Sequence, residues 1–384
     1  MPCIYCGVNE NLSDSDIIPD FMTNGKILNP NVCKTEHNSK FSDNFESCVF
    51  KKLSFLLNHM YIKSSKAKDK YPEYDEIFSF DEVEYEVRRI RNEQEIFGRE
   101  VLRNKEGTSF FGNPNKLKEI AKSKGENAEI NLIDLNNQEI TIKNELCYEI
   151  FFETQMFRLV AKIAYEWYCL RNDVKEAYAE FSGIIDYITK GSVDTSDKRV
   201  TIVKDSEVLR ILDKYEDDGG HVLIVYLDKD YGVSAVVDLL SVCIYNVKIC
   251  DSVPSFCKNN MLMQHITIDG SGNRKDDCLC KKDYNGLFDV LIETATNTGV
   301  KEYVDLAPGF QICAIGNLPS GKDSEKMRMA TTGLELMSYF EKGLVGIAEP
   351  DNEIVNHVIK RLKIFCRRTL YIQKQCKDLS RNMM

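Results

Sequence analysis

The chain has 384 residues and a formal net charge of −10, from 50 Lys and Arg against 60 Asp and Glu. That acidity argues against a protein that coats nucleic acid nonspecifically, while leaving room for a local basic surface. No apolar run approaches the roughly 18 residues of a membrane span, and no apolar h-region follows the Cys-rich start. The expectation is a cytoplasmic protein of two or three domains, without a membrane segment.

Residues 1–46 are polar and loop-rich, with too few apolar side chains for a core of their own, so a metal is the expected staple. From Phe45 to Ile62 the apolar residues Val49, Leu53, Leu56, Leu57 and Met60 recur at helical spacing. Residues 63–75, ending in Tyr71-Pro72, read as a linker. Val83, Tyr85 and Val87 then alternate as in a strand, and Val101 continues in a second extended segment. Asn113-Pro114 opens a short basic helix to about Lys124. Ile130–Leu132 and Ile140–Ile142 flank Asn136-Asn137 as a hairpin.

Residues 145–190 carry two core helices, one through Phe152, Met156, Leu159, Val160, Ile163 and Trp167, the other from Val174 to Thr189. Strands follow at 221–227, 233–237, 242–249, 263–268 and 310–315, in a mostly antiparallel sheet. Helices return at about 325–344 and 351–379. The class is α+β, divided as 1–62, 76–144 and 145–384. The fourteen cysteines are scattered, and those in apolar surroundings, Cys147, Cys169, Cys243, Cys250 and Cys366, read as small buried hydrophobes.

The sharpest pattern is Cys3-x2-Cys6, then 26 residues, then Cys33-x3-His37. Two tightly spaced pairs of sulfur and nitrogen donors suit a tetrahedral, closed, structural zinc site. Gly7, directly after the second ligand, permits the sharp turn the first pair needs.

Between the pairs the chain reads Leu12-Ser13-Asp14-Ser15-Asp16-Ile17-Ile18-Pro19, then Gly25 and Asn31-Val32-Cys33-Lys34-Thr35-Glu36-His37-Asn38. These 45 or so residues resemble the HNH endonuclease family, the ββα-metal nucleases. The resemblance implies a zinc-stapled ββα module that cuts DNA with a catalytic Mg or Mn ion. In that family a strand His activates water, a loop Asn orients it, and a helix residue helps hold the metal. Asp16 stands at the strand His position, Asn31 at the loop Asn, and Asn38 at the helix metal ligand.

The departure at Asp16 changes the chemistry expected. An Asp is a far weaker base than a His at neutral pH, yet a good hard ligand for a divalent ion. Asp14 and Asp20 could join Asp16 around such an ion, which would lower the pKa of its bound water. Three readings stay open: cleavage with Asp16 as metal ligand and weak base, an inactive module that binds nucleic acid or protein, or aspartates that only cap turns. On the first, the expected role is restriction or antiphage defence, with the large C-terminal region selecting the target or sensing a trigger or partner protein.

Two basic stretches are candidates for DNA contact. One holds Arg88, Arg89, Arg91, Arg99 and Arg103. The other is the last helix, with Arg367 and Arg368 among its eight basic residues, which could equally be a solvated face. Cys278-x-Cys280 with Cys257 and His265 is a weaker candidate for a second metal site, since the spacing fits no common zinc pattern. His59, His221 and His357 read as structural.

Overall fold

The computed structural model describes residues 2–23, 27–60, 62–64, 70–80, 82–91, 96–97, 101–125, 139–146, 148–191, 199–203, 206–215, 220–228, 232–256, 260–268, 274–280, 297–298, 310–317 and 342–345, with Leu291 and Val358. They form an α+β chain of three antiparallel sheets.

The first sheet is a two-stranded ribbon, β1 (Leu12–Asp16) against β2 (Leu28–Cys33), with the short helix α1 (Asp20–Thr23) in the connection. Directly after β2 the chain turns helical. Two stretches of wide π-type turns, Lys34–Ser39 and Ser42–Glu46, lead into α2 (Ser47–His59). The helix thus starts eleven residues before the Phe45 expected from the apolar spacing. The polar Lys34–Lys40 segment carries no such spacing, and what the helix start presents there is His37.

A second sheet is built from β3 (Tyr74–Phe80), β4 (Val83–Arg91), β5 (Ile96–Phe97), β6 (Val101–Asn104), β7 (Phe110–Gly112) and β8 (Glu139–Leu146). On β4 the alternation holds as expected: Tyr85, Val87, Arg89 and Arg91 face in and Glu84, Glu86 and Arg88 face out. Phe78, Phe80, Tyr85 and Val87 make its small core, with Phe111 packed on them. Helix α3 (Pro114–Lys124) follows, capped as the Asn-Pro signal suggests: Asn113 Oδ1 accepts from Asn115 N at 2.9 Å. Tyr71 and Pro72 are buried, and Asn58 Nδ2 donates to the Pro72 carbonyl at 2.6 Å, so the end of the expected linker is fastened to α2. The first strand of the expected 130–142 hairpin lies outside the described residues. Its second is β8, which pairs with β3.

Helix α4 (Thr154–Asn172) is the centre of the molecule, and α5 (Ser182–Lys190) packs beside it. The third sheet runs in the order β14 (Arg274–Cys280), β13 (Leu262–Ile268), β10 (His221–Leu227), β11 (Val233–Leu239), β12 (Cys243–Cys250), β9 (Val200–Val203) and β15 (Asn297–Thr298). Both faces of its middle are covered. Leu223, Val225, Val237 and Tyr245 join the large core under α4. Val222, Ile224, Val236 and Ile244 meet α6 (Ser206–Leu212) on the other side. A strand buried on both faces needs apolar residues at every position, which is why 221–227 reads as a continuous run.

The strand expected at 310–315 is present as β16 (Phe310–Asn317), but it joins the second sheet, between β8 and β17 (Lys342–Val345). Residues 342–345 are extended where a helix to 344 was expected. Apart from Val358, which is helical and buried in the large core, the rest of the 325–344 and 351–379 helices, with Arg367, Arg368 and His357, lies outside the described residues. No described helix is long and apolar enough to cross a membrane.

The zinc-candidate segment does not stand apart. Ile4, Tyr5, Ile17, Ile18, Met22, Val32, Phe41 and Phe45 are buried in the same core as Phe157, Tyr165 and Tyr168 of α4. Its few apolar residues suffice because α4 supplies the other half.

Candidate metal centre

Cys3 and Cys6 sit on one tight turn. Gly7 N donates to the Cys3 carbonyl at 2.8 Å, and Gly7 has φ +73°, where any side chain would strain the backbone. Cys33 ends β2 and His37 lies in the first helical turn beyond it. The four ligating atoms all lie within 4.8 Å of one another. Cys3 Sγ is 3.6 Å from His37 Nδ1, and Cys6 Sγ is 3.4 Å from Cys33 Sγ. Bonds of about 2.0–2.3 Å at tetrahedral angles would give edges of about 3.3–3.8 Å; these two edges match, and the donor set is compatible with one zinc ion.

The surroundings suit a charged metal–thiolate group. The backbone N–H groups of Tyr5 and Cys33 donate to Cys3 Sγ at 3.4 and 3.3 Å. Burial raises the Cys3 thiol pKa, but the contact with His37 and the bonds from these N–H groups outweigh it and hold the thiol below its usual value. Burial and the neighbouring sulfurs of Cys3 and Cys6 push Cys33 far up. Three sulfurs this close resist ionising together without a cation, and a divalent ion removes that conflict. Tyr5 stacks on the His37 ring, centroids 4.9 Å apart, and fixes its plane.

Beneath this cluster lies a buried ionic network. Lys162 and Glu166, one turn apart on α4, are 1% and 0% exposed and 3.6 Å apart. Lys162 Nζ donates to the Asp16 carbonyl, to the Ile17 carbonyl at 3.3 Å, and pairs with Glu46 at 3.3 Å. Glu166 accepts from Tyr5 OH at 3.0 Å and from Ser15 Oγ at 2.9 Å, and its main-chain carbonyl accepts from Asn29 Nδ2 at 3.1 Å. Burial raises the Glu166 carboxyl to about 7, against the opposing pull of Lys162 and the Ser15 and Tyr5 hydroxyls. Farther along, Leu240 N donates to His221 Nδ1 at 3.2 Å, so His221 Nε2 carries the hydrogen and donates to the Met22 carbonyl at 3.1 Å. His221 is structural, as expected, and so is the buried His59, which sits against Phe55 and Tyr74.

Of the expected catalytic positions, Asn38 reaches back to the first strand: its Nδ2 donates to Ser13 Oγ and to the Asp14 carbonyl, both at 3.1 Å. Asp16 is half-buried at the end of β1, opposite Leu28, with its carboxylate close enough to Lys162 to raise the lysine's pKa. Asn31 acts through its backbone: its carbonyl accepts from Ile4 N at 2.9 Å and its N–H donates to Asn29 Oδ1 at 3.0 Å. Asp14, Asp16 and Asp20 do not converge. Asp20 is buried and accepts from Ser64, and among the described residues the zinc cluster is the one place where three or more Cys, His, Asp or Glu ligands meet.

The basic candidates divide. Arg89 is 3% exposed and bound to Glu76, Nε to Oε2 at 2.6 Å, because the strand period turns it inward. It has no guanidinium to offer a phosphate. Arg88 is exposed but flanked by Glu73 at 3.2 Å and Asp75 at 3.6 Å. Cys257 and the side chains of Cys278 and Cys280 lie outside the described residues.

Sequence reasoning missed Lys162, Glu166 and Asn29. The signal for the first two was present: opposite charges at i and i+4 inside an otherwise apolar helical stretch, where charges are rarely buried unless paired. Comparison of the chain with protein-family models, with curated proteins and with solved structures returned no match.

Proposed function

We propose that residues 1–62 form a zinc-stapled HNH-like ββα module, and that the chain is a metal-dependent DNA endonuclease acting in restriction or antiphage defence. One observation carries this reading. The chain runs strand, strand, helix after the first Cys pair, and Asn38 on the helix bonds to β1 two residues before Asp16. The resemblance pairs these same two positions across the site. Asp16 and Asn38 then offer oxygen ligands to Mg or Mn, which supplies an activated water. The zinc only holds the scaffold.

The basic surface best suited to DNA among the described residues is a corner of the second sheet rather than Arg88 and Arg89. From Val101 to Gly125 the chain carries Arg103, Lys105, Lys116, Lys118, Lys122 and Lys124 against Glu106 and Glu119. Helix α3 buries none of its residues fully, and Lys118 and Lys122, at i and i+4, have no acidic partner among the described residues. Such like-charge spacing costs a helix a few tenths of a kcal/mol, and a phosphate backbone offsets it.

A second reading, an inactive module that binds nucleic acid or protein, is favoured by the Lys162 ammonium near Asp16, which competes with a cation for that carboxylate. Plasmid nicking by zinc-loaded protein with Mg²⁺ or Mn²⁺ decides between them. Nicking supports the nuclease. Inactivity with either ion, in protein that still binds DNA, supports the binding module.

A further inference from the structure

The two-stranded ribbon that carries Asp16 is poorly specified by its own ladder. Two strands alone are marginal in water. The β1–β2 register is also irregular between Ser13 and Ser15, directly before Asp16, and such an irregularity loosens the pairing that would fix the next side chains. Beyond that point the ladder resumes, with Ser15 opposite Asn29, Asp16 opposite Leu28 and Ile17 N donating to the Ile27 carbonyl at 2.8 Å, and α4 adds a second set of holds on the same residues. Three successive residues are gripped there: Ser15 through its hydroxyl by Glu166, and Asp16 and Ile17 through their carbonyls by Lys162. The same pair reaches Glu46 ahead of α2 and Tyr5 between the first two zinc ligands.

Stability is a weak reason to keep such a pair, since well-packed apolar residues commonly do as well at a buried ionic site. Its remaining bonds are directional, and all those described here go to the zinc module. The 19-residue α4 is a rigid base from which to hold a neighbouring strand.

We propose that Lys162 and Glu166 are positioning residues for Asp16, fixing the end of β1 so that its carboxylate is held toward the site shared with Asn38. The proposal rests on the nuclease reading for its catalytic consequence, but not for its structural one. Neither residue is exposed, so neither touches substrate.

The test uses the full-length zinc-loaded chain and the double variant K162M/E166Q, which removes both charges together, keeps their approximate shape, and leaves an acceptor oxygen for one of the two hydroxyls of Ser15 and Tyr5. Zinc content, amide hydrogen exchange by peptide, and nicking kcat and KM are measured on the same preparations. Zinc stays at one per chain, exchange in the peptide over Ser15–Ile17 rises about 10-fold, and exchange around Cys33–His37 is unchanged. The nicking kcat falls about 10- to 100-fold with KM for DNA little changed. Ser15→Ala, which deletes one grip and leaves the charges in place, shifts both readouts the same way by less, and serves if the double variant does not fold. Unchanged exchange over Ser15–Ile17 overturns the proposal. So does a rise spread evenly over the module with zinc lost, which marks a general structural role. If the wild type nicks no DNA, the nuclease reading fails by itself, and the exchange pattern still decides whether the pair holds the strand.

Discussion

Tyr5 donates its hydroxyl hydrogen bond to Glu166 at 3.0 Å, across 161 residues of chain. A residue between two candidate zinc ligands is thereby fastened to the middle of the central helix, so the candidate metal centre at the N-terminus and the packing of the large core are linked.

Cys33→Ser therefore does more than free the first segment. The variant is expected to lose its zinc and, because Ile4, Tyr5, Phe41 and Phe45 share a core with α4, to lower the thermal midpoint of the whole chain by about 5 °C or more. Metal analysis of undenatured protein and a thermal melt check this. A melt that matches wild type despite zinc loss would show that the module is not coupled to the core.

The Glu166 carboxyl, raised by burial to about 7 from an ordinary 4.5, gives a pH signature. The folded state holds this proton more tightly than the unfolded chain, so its contribution to stability is full below about 4.5 and is lost as pH rises toward about 7. Lys162 and Glu46 face the same site, and Lys162, itself raised, stays charged throughout that window. Relative to Glu166→Gln, wild type is expected to lose stability between pH 5 and about 7 in denaturant titrations. Parallel curves for the two proteins would remove the raised carboxyl from the account.

The sequence made most of the architecture legible. Alternation on β4, the Asn-Pro start of α3 and the apolar run of β10 each state their element outright. What it did not show were long-range pairings. Nothing in Phe310–Asn317 says that the strand joins β8 rather than the sheet of β10, since both offer an antiparallel edge. The clustering of Cys3, Cys6, Cys33 and His37 was readable because metal chemistry would constrain the spacing of such ligands tightly. Lys162 and Glu166 left only the local sign of opposite charges one turn apart in an apolar helix; what they hold was not readable, because their partners are mostly main-chain carbonyls and hydroxyls far away in sequence.

If the corner around α3 meets DNA, Lys118→Glu with Lys122→Glu should weaken binding to duplex DNA. It should also flatten the slope of log affinity against log salt by about 0.9 per lost phosphate contact, or about 1.8 for the pair. The same slope as wild type would return that helix to a merely solvated face and leave the DNA-contact role to other surfaces.

The most direct test of the nuclease account is plasmid nicking by Asp16→Ala, with zinc content and thermal midpoint measured on the same protein. Asp16 is not among the four candidate zinc ligands, and the main-chain carbonyl that Lys162 grips is kept by the substitution, so zinc and stability are expected to stay near wild type while nicking with Mg²⁺ or Mn²⁺ disappears. Asp16→His, which restores the base that the resemblance places there, is expected to keep or raise the wild-type rate. Nicking by Asp16→Ala at the wild-type rate, with zinc retained, would contradict the account.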